Sequence, residues 1–153
     1  MLKRMIALLT SHDMCVLATC RDHKPHCSLM AYVTDDRGLT LYMVTRRDTT
    51  KYQNIVENGH VSLLVDTRQG TGDRAFIRSL TVEGWAAPVM DGARDVEMRR
   101  RLRERHPQIQ GLMDHPQSTL IEVTVRAFLL LEGPEKATHI TVTSVDTPSS
   151  GSH

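Results

Sequence analysis

The sequence has almost no excess charge of either sign and few aromatic residues. Its 19 lysines and arginines face 18 aspartates and glutamates, which gives a formal net charge of +1, and it contains one tryptophan and two phenylalanines. Proteins that bind nucleic acid usually carry a strong basic excess. Those that bind single strands use aromatic side chains to stack the bases. We therefore expect no nucleic-acid partner.

Long hydrophobic runs are also missing. No stretch of the sequence approaches 18 uninterrupted apolar residues, the length needed for a membrane-spanning helix. The apolar run at residues 5–9 is short, is followed by the polar residues 10–13, and lacks a small-residue cleavage site. It predicts a folded helix rather than a signal peptide, and we expect no membrane partner.

Cysteine is sparse, and its spacing fits neither a disulfide framework nor a zinc site. The three cysteines are Cys15, Cys20 and Cys27, an odd number without a Cys-x-x-Cys pair. We interpret them as small buried hydrophobic residues in a reducing compartment, which predicts a cytoplasmic protein. His23 and His26 have no second ligand pair at zinc-site spacing, so we predict no metal site.

The remaining composition is that of an ordinary globular domain. The chain has 153 residues, of which 40% are hydrophobic and 24% charged. This length and composition are typical of one domain with its own core. We expect a single domain over residues 1–146 and a flexible tail over residues 147–153, where the sequence is rich in serine and threonine.

Hydrophobic periodicity predicts about six strands joined by turns and short helices. The predicted strands cover residues 14–20, 26–34, 39–45, 60–66, 74–90 and 119–132, with a candidate edge strand at 138–145. The predicted helices cover residues 2–9, 49–58 and 93–105. The fold class is therefore α+β with a dominant antiparallel sheet, and a closed or nearly closed barrel is favoured because closure removes unpaired strand edges.

The segment with the clearest chemistry is the predicted strand, basic turn and helix at residues 41–59. A helix N-terminus offers unpaired backbone N–H groups and a partial positive charge, which suit a phosphate. Three cationic residues lie at or just before the N-terminus of this predicted helix: Arg46, Arg47 and Lys51. The hydroxyl groups of Thr45, Thr49 and Thr50 add hydrogen-bond donors. Asp48 is the predicted N-cap and Gly59 the predicted C′ residue. The cluster predicts a phosphate-binding site, and a capped surface helix with solvated charges is the alternative.

Several short motifs in a fixed order give the sequence a wider resemblance. They are Leu-Ala-Thr at 17–19, Lys-Pro-His-Cys-Ser at 24–28, Asp-Asp-Arg-Gly-Leu-Thr-Leu-Tyr at 35–42, the basic turn with its lysine, Glu-Asn at 57–58, Val-Ser-Leu-Leu-Val at 61–65 and, more weakly, Val-Glu-Gly-Trp-Ala at 82–86. This ordered set resembles the pyridoxamine 5′-phosphate oxidase-like, FMN-binding split-barrel family. The resemblance covers about residues 1–130.

The resemblance implies a six-stranded Greek-key split β-barrel, a homodimer, and FMN held at the dimer interface. The strand from Ser28 to Val33, with Leu29 and Met30, would border the flavin ring. Val44 and Thr45 would line the path of the ribityl chain and phosphate. The phosphate would be held at Arg46, Arg47, Thr50 and Lys51, where Thr50 replaces an arginine of the family pattern. Ser79 stands where the oxidase itself has a glutamine that contacts the flavin.

The resemblance to the oxidase itself ends near the C-terminus. The oxidase has a C-terminal segment with a tryptophan and an arginine that complete its flavin and substrate site, whereas Trp85 is the only tryptophan of this sequence. We expect an FMN-dependent oxidoreductase that uses a small-molecule electron donor or acceptor and is not a true pyridoxamine phosphate oxidase. Its catalytic residues are not apparent from the sequence. The alternatives are a non-catalytic FMN- or haem-binding protein and a phosphate-binding module without redox chemistry.

Overall fold

The computed structural model describes residues 1–68 and 72–143. The tail expected at residues 147–153 lies outside the described residues. Four strands lie between the first two helices, and two short 3₁₀ turns, Arg74–Phe76 and Pro107–Ile109, lie in later connections of the described residues. The helices are α1 (Leu2–Ser11), α2 (Thr50–Glu57), α3 (Gly92–Arg105) and α4 (Gln110–Met113). The strands are β1 (Met14–Arg21), β2 (Lys24–Ala31), β3 (Val33–Thr34), β4 (Thr40–Arg46), β5 (His60–Asp66), β6 (Arg78–Pro88), β7 (Ser118–Glu132) and β8 (Lys136–Thr141).

All of these strands form one antiparallel sheet, in the order β2-β1-β5-β6-β7-β4-β3, with β8 also paired to β7. The 15-residue strand β7 organises the sheet, because its first half pairs with β4 and its second half with β8, while β6 pairs along its other side. The sheet curls into a split barrel, which confirms the predicted α+β class. The strand count is eight among the described residues, whereas the sequence predicted six.

The strand predicted at residues 26–34 is divided because Tyr32 leaves the ladder. The backbone N–H of Tyr32 donates to the Asp13 carbonyl (2.9 Å), and its hydroxyl donates to the Leu9 carbonyl (2.6 Å). Both bonds attach this point of the chain to the end of α1. The division leaves β3 as a separate two-residue strand, and β8 forms where only a candidate edge strand was predicted.

The turn between β1 and β2 is shorter than the sequence indicated. Asp22 and His23 both have positive φ angles, +51° and +63°, as a two-residue type I′ turn requires. Lys24 and Pro25 therefore belong to β2 and pair with Arg21 and Cys20. This register directs Ser28 and Met30 to the inner face of the sheet, beside Leu17 and Cys15, and leaves the residues between them on the outer face.

Two apolar clusters form the core. The larger one fills the concave inner face of the sheet beneath α1 and includes Met5, Leu9, Leu17 and Leu63. The smaller one lies on the other side of β4 and β7, beneath α3 and α4, and consists of Tyr42, Val44, Met98, Leu102, Met113 and Leu120. The two faces of β4 therefore serve different clusters, and this decides which of its side chains can reach the barrel interior.

The cysteines do not share one environment, so the prediction that all three are buried is wrong. Cys15 is buried on the inner face, and burial raises the pKa of its thiol to about 12. Cys20 is partly buried and Cys27 is exposed. Cys27 alternates with the inward-facing Ser28, so its position in the register places it on the outer face of an edge strand.

Gly84 lies at a bulge in β6. The pairing between β6 and β7 shifts by one residue between Glu83 and Gly84. A Cβ atom at Gly84 would approach the Val123 Cγ1 atom to 2.6 Å, so only glycine fits against β7 at this point.

Candidate functional site

The N-terminus of α2 is capped by Thr49 rather than by Asp48. The Thr49 hydroxyl accepts the backbone N–H of Tyr52 (3.3 Å) and donates to the Arg46 carbonyl (2.7 Å). The Thr45 hydroxyl lies 3.4 Å from that of Thr49. The cap places the hydroxyl groups of β4 and α2 together, directly before the first free backbone N–H groups of the helix.

The end of α2 lies where it was predicted. Asn58 is the C-cap and Gly59 is therefore the C′ residue, although Gly59 does not adopt the left-handed conformation common at that position. Gly59 is instead required for close packing, because a Cβ atom there would lie 2.6 Å from the Trp85 ring. The buried amide of Asn54 donates to the Thr19 hydroxyl on β1 (3.0 Å) and fixes the helix against the sheet.

The two arginines before α2 already have protein partners. Arg46 forms an exposed ion pair with Asp48, with Nε 2.9 Å from Oδ1, which lowers the pKa of that carboxyl group. The Arg47 guanidinium donates to the carbonyls of Pro116 (3.1 Å) and Ser118 (3.3 Å), where it holds the start of β7. Arg47 therefore contributes to the fold as well as to the basic character of the turn.

Lys51 is a partly buried cation without a carboxylate partner among the described residues. Its ammonium group lies 3.3 Å from the Met30 sulfur, a weak acceptor, and burial lowers the pKa of the lysine. A lysine in the first turn also opposes the helix dipole. Both effects would be relieved by an anion next to the ammonium group.

Ser28 supplies a second incomplete interaction on the same face. Its Oγ atom is buried and has no hydrogen-bond partner. Ser28 and Met30 both point to the inner face of β2, so the hydroxyl lies one inward-facing position from the residue that Lys51 contacts. A buried hydroxyl without a partner costs free energy that a ligand oxygen or N–H would recover. The donor set therefore fits a bound phosphate ester.

The structure brings only some of the predicted site residues together. Ser28, Met30, Thr45 and Lys51 surround the inner face near α2, and the exposed Thr50 lies in the first turn of that helix. The others lie elsewhere: Val33 and Val44 pack in the cluster beneath α3 and α4, Leu29 is 69% exposed on the outer face, and Ser79 lies on the outer face of β6 beside Leu131 and Gly133.

The match to a family model covers most of the chain. The model described as pyridoxamine 5′-phosphate oxidase matches residues 1–132, which include α2 and all the candidate residues. The chain belongs to this family. No curated protein matches the sequence.

Solved structures show the same fold at low sequence identity. The haem-binding protein from Mycobacterium smegmatis is 14% identical with a TM-score of 0.77, over 90% of this chain and 57% of that chain, so this chain spans little more than half of it. A FAD-binding protein from Mesorhizobium loti is 17% identical with a TM-score of 0.70, over 84% and 91% of the two chains. General Stress Protein 26 from Bacillus anthracis is 22% identical with a TM-score of 0.67, over 92% and 98%.

The described residues contain neither a metal-ligand cluster nor a membrane-spanning helix. Across residues 1–68 and 72–143, no group of three histidine, cysteine, aspartate or glutamate side chains could hold a metal ion. None of the helices that the structure describes is long and apolar enough to cross a bilayer.

Sequence reasoning missed the cap and the helix anchor. Asp48, Thr49 and Thr50 are all residues that can cap a helix, so the sequence alone could not choose among them. The Asn54–Thr19 bond joins residues 35 positions apart. Asn54 is a polar residue between the apolar positions of a short amphipathic helix, and this pattern could have indicated a buried hydrogen bond.

Proposed function

We propose that this family member is a flavoprotein that binds FMN with its phosphate at the N-terminus of α2. The observation that supports this most directly is the pair of incomplete interactions on one face, the unpartnered Ser28 hydroxyl and the Lys51 ammonium group without a carboxylate. Membership of the family and the FAD-binding structural neighbour support a flavin as the ligand.

Each residue of the cluster would have a distinct part in binding. Lys51 would supply charge to the phosphate, and Thr45 and the free N–H groups of α2 would donate hydrogen bonds to its oxygens. Arg46 could turn toward the phosphate, because the Arg46–Asp48 ion pair is exposed to solvent and therefore contributes little to stability. The β2 backbone from Ser28 would border the flavin ring.

We propose that the bound flavin serves an oxidoreductase reaction. FMN supplies hydride or single-electron transfer, and the protein supplies binding, orientation and electrostatics. The partner in this reaction would be a small-molecule electron donor or acceptor.

The protein would act as a homodimer formed through the outer face of the sheet. Paired positions carry Leu29, Val16 and Leu64 across β2, β1 and β5, and Leu29 and Leu64 are 69% and 39% exposed. Large exposed apolar side chains in one row favour association. Ser79 lies on this face, so its expected flavin contact would be made to the flavin of the second copy.

The absorbance spectrum of the purified protein, with mass spectrometry of the released ligand, tests this function. Flavin bands and a mass of FMN are expected. A Soret band would instead support the haem-binding alternative, for which the haem-binding neighbour is the specific observation. A colourless protein that fails to bind added FMN, but binds other phosphate esters, would support the remaining alternative, a phosphate-binding module without redox chemistry.

A second test asks whether the protein oxidises pyridoxamine 5′-phosphate, the reaction after which the family is named. Trp85, the only tryptophan of the sequence, lies edge-on to His60 (4.8 Å between ring centroids), with Arg126 over its ring. It is therefore already packed on β6, against His60 and Arg126. We expect FMN-loaded protein mixed with pyridoxamine 5′-phosphate in air to form aldehyde far more slowly than the roughly 1 per second of a dedicated enzyme. Turnover at that rate would restore the oxidase assignment.

A further inference from the structure

Met30 is a buried residue of β2 whose sulfur atom contacts a charged group. Its side chain is 5% exposed and belongs to the larger core cluster, yet its Sδ atom accepts a hydrogen bond from the Lys51 ammonium group (3.3 Å). A thioether is a weak acceptor. Methionine in a core mostly fills space between apolar neighbours. Packing alone therefore does not account for a lysine that ends on this residue.

Stronger acceptors lie on the same strand face and on the same helix, and the lysine uses neither. Ser28 is the neighbouring inward-facing residue of β2, and its buried Oγ atom has no hydrogen-bond partner. Glu57, the acidic residue of α2, pairs with Arg21 at the other end of the helix (3.6 Å). The Lys51 ammonium group therefore rests on a weak and neutral acceptor, and no carboxylate of the described residues neutralises it.

This arrangement fixes the lysine but leaves free what a phosphate needs. A lysine side chain has a flexible four-carbon stem, and ordering it when a ligand binds costs conformational entropy. The ammonium group has three N–H donors, of which the Met30 sulfur takes one. The other two donors and the positive charge stay available on the inner face of the sheet. The contact thus pre-organises Lys51 for an anion and reduces the entropic cost of binding it.

We propose that Met30 is a positioning residue of the α2 site: its sulfur holds the Lys51 ammonium group in place, and this sets how strongly the protein prefers a phosphorylated flavin to the same flavin without its phosphate. The inference rests on the proposed function and adds to it. The family resemblance places Met30 beside the flavin ring, a contact that FMN and riboflavin would share. A role exercised through Lys51 acts only on a ligand that carries the phosphate, so the two roles predict different selectivities.

Met30→Leu tests this role, because leucine fills a similar volume and offers no acceptor. Titration followed by flavin fluorescence should show that FMN binds about threefold to tenfold more weakly, the effect of one lost hydrogen bond, while riboflavin binds as before. Met30→Gln retains a neutral acceptor and should keep most of the preference for FMN. Met5→Leu is the matched control, because Met5 is buried in the same cluster but lies on α1, and it should leave both flavins unchanged. Urea unfolding checks that each variant is folded.

The same substitution in a protein without the lysine separates positioning from packing. Lys51→Ala should itself lower the ratio of FMN affinity to riboflavin affinity. In the Lys51→Ala background, Met30→Leu should not lower this ratio further, because the sulfur has no ammonium group to hold. A residue that only packs would have the same effect in both backgrounds.

Three results would overturn the role of Met30 and leave the proposed function standing. The first is a folded Met30→Leu variant that binds FMN like the wild type, although Lys51→Ala loses FMN selectively. The second is an equal effect of Met30→Leu on FMN and riboflavin. The third is an equal effect of Met30→Leu with and without Lys51. An unchanged preference for FMN in Lys51→Ala would instead overturn the proposed phosphate site, and the role of Met30 with it.

Discussion

Two buried hydroxyl groups, those of Ser28 and Thr19, differ in whether the folded chain gives them a hydrogen-bond partner. The Thr19 hydroxyl accepts the Asn54 amide (3.0 Å) and so helps to hold α2, whereas the Ser28 hydroxyl is equally hidden from water but has no partner. The first stabilises the folded state without any ligand, and under the proposed function the second would do so only when the ligand is bound.

This difference predicts opposite effects of two conservative substitutions. Ser28→Ala should leave the free energy of unfolding of the ligand-free protein unchanged or slightly higher, but should weaken FMN binding. Thr19→Val should lower the free energy of unfolding by about 1–3 kcal/mol, because it leaves the Asn54 amide buried without an acceptor. Urea unfolding and FMN titration of both variants measure these effects. A large loss of stability in ligand-free Ser28→Ala would contradict the assignment.

At the scale of single residues, the sequence predicts which residue types cluster before α2, but it does not predict which partner each residue contacts. The basic turn correctly indicated a cluster of hydroxyl and cationic groups before α2. It could not indicate that Arg47 donates to carbonyls about 70 positions away, at Pro116 and Ser118, because those contacts depend on the pairing of β4 with β7. It also could not show that Val44 faces α3 while Thr45 faces the barrel interior.

The secondary-structure elements followed from periodicity more closely than the side-chain contacts did. Alternation correctly placed β1, β5 and β7 to within about two residues at each end. An error arose where a tertiary contact overrides the local pattern, because Tyr32 leaves its strand to bond the end of α1.

At the scale of the helix, two substitutions test whether Thr49 or Asp48 caps α2. Thr49→Ala should lower the free energy of unfolding by about 0.5–2 kcal/mol, since it removes the acceptor for the Tyr52 N–H group. Asp48→Ala should change the free energy of unfolding less than Thr49→Ala does, because the ion pair of Asp48 with Arg46 is exposed to solvent. Chemical denaturation of the two variants checks the order, and a larger effect of Asp48→Ala would show that the cap is assigned to the wrong residue.

For the whole molecule, the exposed apolar row on the sheet leads to a prediction about assembly. Light scattering should give about twice the chain mass of 17.3 kDa. Leu64→Glu places a charge in the middle of this row and should yield monomers. Val96→Glu is the matched control, because Val96 is 70% exposed on α3, away from the row, and this variant should stay dimeric.

Two results would contradict pairing through this face. One is a wild-type protein that is monomeric while it holds stoichiometric FMN. The other is a folded Leu64→Glu variant that remains dimeric, which would place the interface on another surface.

The central claim, that a flavin phosphate binds at the N-terminus of α2, is tested most directly by titrating FMN and riboflavin into the wild type and Lys51→Ala, with flavin fluorescence as the signal. Lys136→Ala, at an exposed lysine of β8, is the control. One charge-assisted contact contributes roughly 1.5–3 kcal/mol, so Lys51→Ala should weaken FMN by about tenfold to over a hundredfold. Its affinity for riboflavin, which lacks the phosphate, should be almost unchanged. Equal losses for the two flavins, or no loss for FMN, would contradict the account.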